Sequence, residues 1–247
     1  MKKIDSISTR EKIASFYIYS ISFLGMIAVI SSLFKSEMPS ELIILLLLAV
    51  FMGIIEYFPI RIGRGGITLS LTLIYPMIWE FGIHITVIAC VCVMVFTQSL
   101  RRLPMQRTLF NTTQFALSII LAEWLSKQCI SFFITEMNLP VLYEELISLL
   151  LFTVFFCSIN TLLFDLLMVL LPQPYTREQW HKKNMLVFLS ASFCLFYAFL
   201  IYILEHRYRG EMDGITVLFF FFPLVAICII SSFSRQIRIE KERLYKL

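Results

Sequence analysis

The chain has 247 residues, of which 59% are hydrophobic and only 15% charged, with a formal net charge of +4 and a mean hydropathy of +0.83. A soluble domain is closer to half apolar and a quarter charged, so this composition excludes an ordinary soluble domain. The apolar residues form blocks long enough to cross ~30 Å of hydrocarbon as helices of roughly 20 residues. Because the blocks are continuous and do not alternate, they predict an all-α fold, a polytopic transmembrane helix bundle, and not a β-barrel.

Eight membrane spans are predicted along the chain. They cover residues 13–34, 40–59, 67–82, 84–100, 108–128, 146–171, 184–204 and 214–233. The first block follows a basic start, but it is too long for the apolar region of a cleaved signal peptide, so we expect a retained span. The expected organisation is a transmembrane helical domain over residues 1–233, followed by a cytoplasmic signalling-helix stub over 234–247.

The distribution of basic residues predicts the orientation of the spans. If the N-terminus lies inside, the cytoplasmic segments carry 17 of the 21 Lys and Arg residues. An excess of positive charge in short loops marks the cytoplasmic side of a membrane protein. The sequence therefore predicts eight spans with both termini inside, an N-in/C-in topology.

The third span, 67–82, has the weakest helical pattern. Its polar residues Thr68, Ser70 and Thr72 recur with a period of two, which is typical of a strand or an unwound stretch. Pro76 is expected to break the helix further. We therefore predict a short crossing with an irregular start.

The polar stretch E-Y-F-P-I-R-I-G-R-G-G separates the second and third spans. Its spacing fits neither a P-loop nor a dinucleotide-binding glycine motif. Pro59 is predicted to end the second span, and Arg61 and Arg64 to hold a cytoplasmic turn on the inner side. The glycines of this stretch permit a tight reversal of the chain.

Polar side chains inside hydrocarbon are costly and therefore informative. The candidate intramembrane polar site consists of Glu56, Asn111, Gln114, Asn160 and Asp165. Asn111 and Gln114 share one helix face, and Ser158, Thr161 and Asp165 share another by their spacing of three and four residues. Two interpretations stay open: these faces converge on a site for a small ligand or ion, or they only hydrogen-bond the helices together.

The two acidic residues of this set differ in depth. Glu56 is near enough to the membrane surface to pair with Arg61 or Arg64, or it faces Asn111 and Asp165 across the bundle. Asp165 is deeper, so we expect a partner for it, or a carboxyl that stays protonated. The three histidines lie in separate connections and no metalloprotease motif occurs. We therefore expect no catalytic residues, no metal and no cofactor.

Three segments together resemble a known family. They are E-Y-F-P-I-R-I-G-R-G-G-I-T-L-S-L-T (56–72), R-R-L-P-M-Q-R-T-L-F-N-T-T-Q-F-A-L-S (101–118) and I-N-T-L-L-F-D-L-L (159–167). In this order they are similar to the N-terminal membrane region of Firmicutes HD-GYP phosphohydrolases, a region also found ahead of GGDEF domains. The resemblance implies an input or anchoring module for a cytoplasmic domain that hydrolyses or makes cyclic di-GMP.

The resemblance implies a non-enzymatic sensory module in a bacterial cytoplasmic membrane, because no HD-GYP or GGDEF motif occurs in the chain. Its expected partners are the lipid bilayer, a cytoplasmic effector domain or protein, and a second copy bound through the C-terminal helix, but no nucleic acid. The alternative is a small-molecule binding or transport protein, similar to the substrate-capturing subunits of vitamin importers. In that case the irregular third span and the inner polar residues would form its site.

Overall fold

The computed structural model describes residues 2–37, 39, 41–62, 65–67, 69–137, 141–171, 176–208 and 221–234. Within these ranges the chain forms seven helices and one short β-hairpin. In chain order they are α1 (Lys2–Lys35), α2 (Leu42–Tyr57), β1 (Ile60–Ile62), β2 (Gly65–Ile67), α3 (Leu71–Leu100), α4 (Met105–Met137), α5 (Val141–Leu170), α6 (Arg177–Tyr208) and α7 (Phe221–Ser234).

Five helices in the described part of the chain are long and apolar enough to cross a membrane. They are Thr9–Lys35, Leu71–Leu100, Met105–Phe132, Tyr143–Leu170 and Arg177–Ile201. Helices α2 and α7 are also apolar but shorter. Large side chains such as Phe16, Phe23 and Phe188 are exposed on the outside of the bundle, as expected where lipid is the surrounding solvent. The prediction of a multi-pass helical membrane protein is confirmed at this level.

Side-chain contacts give the relative directions of the helices. Helices α4 and α5 are antiparallel, because Gln114 contacts Asn160 while Phe115 contacts Phe156. Helix α2 and the later half of α3 are parallel, because Met52 lies near Cys90 and the Glu56 carbonyl lies near Arg101. Helices α5 and α6 meet where Lys183 pairs with Asp165. The end of the bundle that holds these Arg101 and Lys183 contacts is called the basal end.

Helix α1 lies against α4 at a point where only glycine fits. A Cβ atom added to Gly25 would lie 2.5 Å from both the Cβ and the carbonyl oxygen of Thr113. Nearer the start of α1, the Tyr17 and Phe110 rings are in contact, and the Tyr17 hydroxyl donates to the Leu163 carbonyl at 2.8 Å. The missing side chain at Gly25 thus lets two long helices approach closely, as small residues do in membrane bundles.

One buried apolar cluster holds the other helices together. Its largest fully buried side chains come from every helix except α1: Leu48, Met52, Ile55, Leu73, Ile74, Met77, Val87, Ile119, Phe152, Ile201, Phe221 and Leu224. Ring contacts run through it, including Phe152 with Phe156 at 6.1 Å and Phe51 with Phe221 at 6.3 Å between centroids. The cluster places α7 against α2.

Helix α3 unites the predicted spans 67–82 and 84–100 in one helical element with a break at Gly82. That residue has φ 76° and ψ 166°, a region that is essentially restricted to glycine. The prediction that Pro76 breaks the helix is wrong, because the helix runs through it. Pro76 is only six positions into α3, and the preceding turn begins with Leu71, so little of the hydrogen-bond ladder is lost.

The predicted irregular start of the third span is confirmed, since the helix begins only at Leu71. Before it, β1 and β2 pair as an antiparallel hairpin with Ile60 opposite Ile67 and Ile62 opposite Gly65. The chain therefore reverses at the predicted turn after Pro59. Arg64 lies outside the described residues, as do the side chain of Arg61 and the predicted tail from residue 235 onward.

Helix α6 begins at Arg177, seven residues before the predicted span 184–204. The cause is a capping box that the sequence reasoning missed. The backbone N–H of Gln179 donates to the Thr176 hydroxyl at 3.3 Å, and the backbone N–H of Thr176 donates to the side-chain Oε1 atom of Gln179 at 3.1 Å. The polar segment that begins at Pro172 is therefore helical from its sixth residue, and Trp180 lies on the first turn of α6.

Candidate functional site

Gln114 and Asn160 are the two predicted site residues that contact each other. The Gln114 Nε2 atom donates to the Asn160 side-chain oxygen at 3.0 Å and to the Asn160 backbone carbonyl at 2.8 Å. Gln114 is buried and Asn160 half-buried. This arrangement joins α4 to α5 and satisfies both donors of the Gln114 amide, so it matches the interpretation of these residues as interhelical hydrogen bonds.

Asn111 contacts a different helix. Its Nδ2 atom donates to the Gln98 Oε1 atom of α3 at 3.4 Å. Gln98 is buried at the end of the predicted fourth span, and the sequence reasoning missed it. The sequence feature that could have identified Gln98 is its long polar side chain, which lies one helical turn before the basic pair Arg101-Arg102. Asn111 and Gln114 thus share a helix face, as predicted, but bind two different neighbours.

Glu56 is buried at the basal end of α2, with 9% of its surface exposed. The Arg101 Nη1 atom donates to the Glu56 backbone carbonyl at 3.5 Å, so an arginine does approach this residue. It is not one of the two predicted arginines, whose side chains the structure does not describe. The predicted pairing of Glu56 with Arg61 or Arg64 stays a prediction.

Asp165 has the partner that its depth predicted. Lys183 of α6 forms an ion pair with Oδ1, and the Trp180 indole N–H donates to Oδ2 at 3.1 Å. The Lys183 ammonium also lies 5.4 Å from the centre of the Phe164 ring. Asp165 therefore bonds to α6, whereas Asn111 and Gln114 bond to α3 and α5. Among the described residues, no hydrogen bond or ion pair links Asp165 to Asn111 or Gln114.

Above this ion pair, a groove of about 750 Å³ runs between α5 and α6. Its α5 wall contains Leu150, Thr153, Val154, Cys157, Ser158, Thr161, Leu162 and Asp165, and its α6 wall contains Trp180, Asn184, Val187, Phe188, Ala191, Ser192 and Leu195. The predicted face of Ser158, Thr161 and Asp165 is thus confirmed as one side of a single cavity. We call it the α5–α6 groove.

The α5–α6 groove has the size of a small-molecule site, since such pockets measure about 300 to 1,000 Å³ and are mainly apolar with a few polar groups. Its charged, indole and amide groups, on Asp165, Trp180 and Asn184, lie at the basal end, and the hydroxyl groups of Thr153, Ser158, Thr161 and Ser192 lie along the walls. Within the described ranges, no group of three or more His, Cys, Asp or Glu side chains could hold a metal ion. The groove is therefore suited to binding an amphiphilic organic molecule by packing and hydrogen bonds.

Comparison with known proteins gives no further identification: no protein family, curated protein or solved structure matches the chain.

Proposed function

We propose that the chain is a non-enzymatic sensory or anchoring module that passes a change in helix packing through its C-terminal helix to a cytoplasmic cyclic di-GMP effector. Helix α6 carries this proposal, because it lines the α5–α6 groove and also belongs to the buried cluster that contains α7, in addition to its contacts with α3 and β2. One side of α6 forms a wall of the α5–α6 groove, and another packs with α7 in the buried cluster through Cys194, Ala198 and Ile201. Filling the groove would move α6 against α7, whose last residue, Ser234, precedes the charged tail.

The energetic requirement for such a device is modest. A ligand shifts a packing equilibrium only by its difference in affinity for the two arrangements. The α5–α6 contact is well suited to a two-state change, since one ion pair and one indole hydrogen bond join the helices at the basal end. Beyond them the groove lies along one side of the α5–α6 contact.

The proposal includes eight crossings with both termini in the cytoplasm. Two observations support the extra crossing within α3. Both Tyr75 and His84 approach residues far from the basal end, because Tyr75 contacts Glu145 and His84 contacts Ser32. Gly82, between them, would then be the point where the chain turns back. The basal end carries the arginines that follow α3 and the lysines that begin α6, which favours a cytoplasmic location.

The module is tested in cells of the host that encodes the chain. Its coding sequence is deleted and then restored either in full or ended after Ser234, and cyclic di-GMP is measured with a fluorescent reporter. We expect deletion to change the reporter signal, and only the full chain to restore it, at equal membrane abundance of both forms. Restoration by the shortened chain would contradict transmission through the tail.

A transport function is the second candidate, and the break in α3 is the observation that favours it. Interrupted helices and irregular backbone at membrane depth are typical of transporter binding sites. Here a hairpin and a non-helical stretch precede Leu71, and the residues on either side of Leu71, Ser70 and Thr72, are buried. If deletion leaves cyclic di-GMP unchanged but makes growth depend on a supplied vitamin mixture, transport replaces the sensory proposal.

A further inference from the structure

We propose that the α5–α6 groove binds a neutral amphiphile with a hydroxyl-bearing headgroup and one long hydrocarbon chain, of the monoacylglycerol type. This inference deepens the proposed sensory function. Only the role of the bound molecule as a signal rests on that function; the binding itself is argued from the groove. The headgroup would lie at the basal end beside Asn184, and the chain would follow the groove towards Leu150 and Leu195.

The length and wall of the groove suit a hydrocarbon chain. From Asp165 to Leu150 the α5 wall covers 15 residue steps, or about 22 Å at 1.5 Å per residue. This exceeds half of the ~30 Å hydrocarbon core, so one extended chain can lie along it within the membrane. The wall beyond the basal end is mainly apolar, and Val154, Leu162 and Phe188 are exposed where lipid surrounds the bundle.

The basal end of the groove favours a hydroxyl group over a charged headgroup. The Asp165 carboxylate is already neutralised by Lys183 and accepts the Trp180 N–H, so this pair offers no net charge to an ionic ligand. The Asn184 Oδ1 atom is different, because it is buried and has no hydrogen-bond partner among the described residues. A buried carbonyl oxygen without a donor is costly, and a rotation of the Asn184 amide towards the groove would let a ligand hydroxyl satisfy it.

Two further hydroxyl groups lie on the same wall. Thr161 is one helical turn from Asp165, and Ser158 is one turn farther along α5. A glycerol headgroup with two hydroxyls could bond both to Asn184 and to this row. A diacyl phospholipid fits less well, because its second chain would have to leave the groove.

Trp180 provides a direct test, since it lies at the headgroup end and the chain has only two other tryptophans. The full chain with Trp79→Phe and Trp124→Phe is purified and placed in phosphatidylcholine nanodiscs. Monoacylglycerol brominated near its headgroup is titrated in, and quenching of Trp180 fluorescence is recorded. Brominated phosphatidylcholine and brominated phosphatidylglycerol at the same mole fractions serve as the comparison lipids.

We expect the brominated monoacylglycerol to quench Trp180 fluorescence saturably. At the same mole fractions, quenching by either brominated phospholipid should only rise in proportion to its mole fraction in the bilayer. Asn184→Leu should weaken the apparent affinity about tenfold, the effect of losing one buried hydrogen bond worth ~1.4 kcal/mol. Ala191→Phe, which fills the groove, should abolish saturation. Leu189→Phe is the matched control on the exposed face of α6 and should leave the titration unchanged.

Equal quenching by all three lipids, or saturation that survives Ala191→Phe, would overturn the proposal. Stronger saturation by brominated phosphatidylglycerol would replace the neutral ligand with an anionic lipid and would also overturn it. The assay contains no effector, so its failure is distinct from failure of the sensory function. A chain that signals through its tail but binds no monoacylglycerol would keep the sensory proposal and remove only this one.

Discussion

The Gln114 side chain makes two hydrogen bonds to Asn160, one to the side-chain oxygen and one to the backbone carbonyl, at 3.0 and 2.8 Å. One amide group of α4 thereby binds both a side chain and the main chain of α5. Since lipid offers no competing hydrogen bonds, such a contact fixes the register of two helices that are otherwise joined by apolar packing.

Gln114→Leu is expected to lower the free energy of unfolding by about 0.6 to 1.7 kcal/mol, the range found for interhelical hydrogen bonds in membranes. The loss is measured by unfolding in mixed detergent micelles. Gln128→Leu, at an exposed position of the same helix, is the control for the change in side-chain polarity. Equal stability of the two variants would mean that the Asn160 contact contributes nothing.

Gly25→Ala should destabilise the protein by about 1 to 3 kcal/mol, because the new methyl group would overlap the backbone of α4. The nearest Thr113 atoms lie 2.5 Å from the position that this methyl group would occupy. Gly53→Ala is the matched control, since its nearest neighbours, on Thr97 and Val93, are 3.8 Å away. Thermal unfolding in detergent compares the two, and similar melting temperatures would argue against close contact of α1 with α4.

Gly82 is predicted to tolerate neither Ala nor Asn. Both substitutions have open space around the Cβ atom, so the cost comes from the backbone alone. At φ 76° and ψ 166° a side chain costs about 1 to 3 kcal/mol. Asn is often tolerated at positions with left-handed helical backbone angles, but the angles of Gly82 lie outside that region. The Asn variant should therefore unfold at about the same temperature as the Ala variant. A clear advantage of Asn would show that Gly82 has left-handed helical geometry.

The Asp165–Lys183 pair should behave as a coupled unit. Its side chains are only 19% and 17% exposed, so Asp165→Asn or Lys183→Gln alone leaves a partly buried charge and should cost about 2 kcal/mol. The double variant should cost less than the two single changes together. Lys182→Gln breaks the pair with Glu178, whose side chains are 72% and 76% exposed, and should have no measurable effect. Additive losses in the Asp165–Lys183 cycle would contradict the coupling.

The sequence predicted faces better than partners. The spacing of Ser158, Thr161 and Asp165 correctly placed them on one side of α5, because helix geometry fixes that relationship. It could not show that Asp165 would bind Lys183, since the choice of neighbour depends on how α6 packs. The same limit applies to Asn111, which binds α3 although its neighbour Gln114 on the same face binds α5.

Helix ends and breaks were predictable only where a local rule decides them. The capping box of Thr176 and Gln179 follows such a rule, and recognising it would have placed the start of α6 at Arg177. The break at Gly82 is harder to foresee. A glycine inside an apolar block is compatible with a continuous helix, and Pro76 looked the stronger breaker until its position near the helix start made it harmless.

The β-hairpin before α3 has a consequence for biosynthesis. Its second strand lies against α6, and the Leu69 carbonyl just after it accepts a contact from the Cys194 thiol, 125 positions later in the chain. At a synthesis rate of 5 to 20 residues per second, the ribosome needs about 6 to 25 s to deliver that partner. During this interval the hairpin lacks its α6 neighbour, so we expect its final packing to await the arrival of α6. Nascent chains stalled before residue 194 should therefore leave this segment accessible to water-soluble labels, whereas longer ones should protect it.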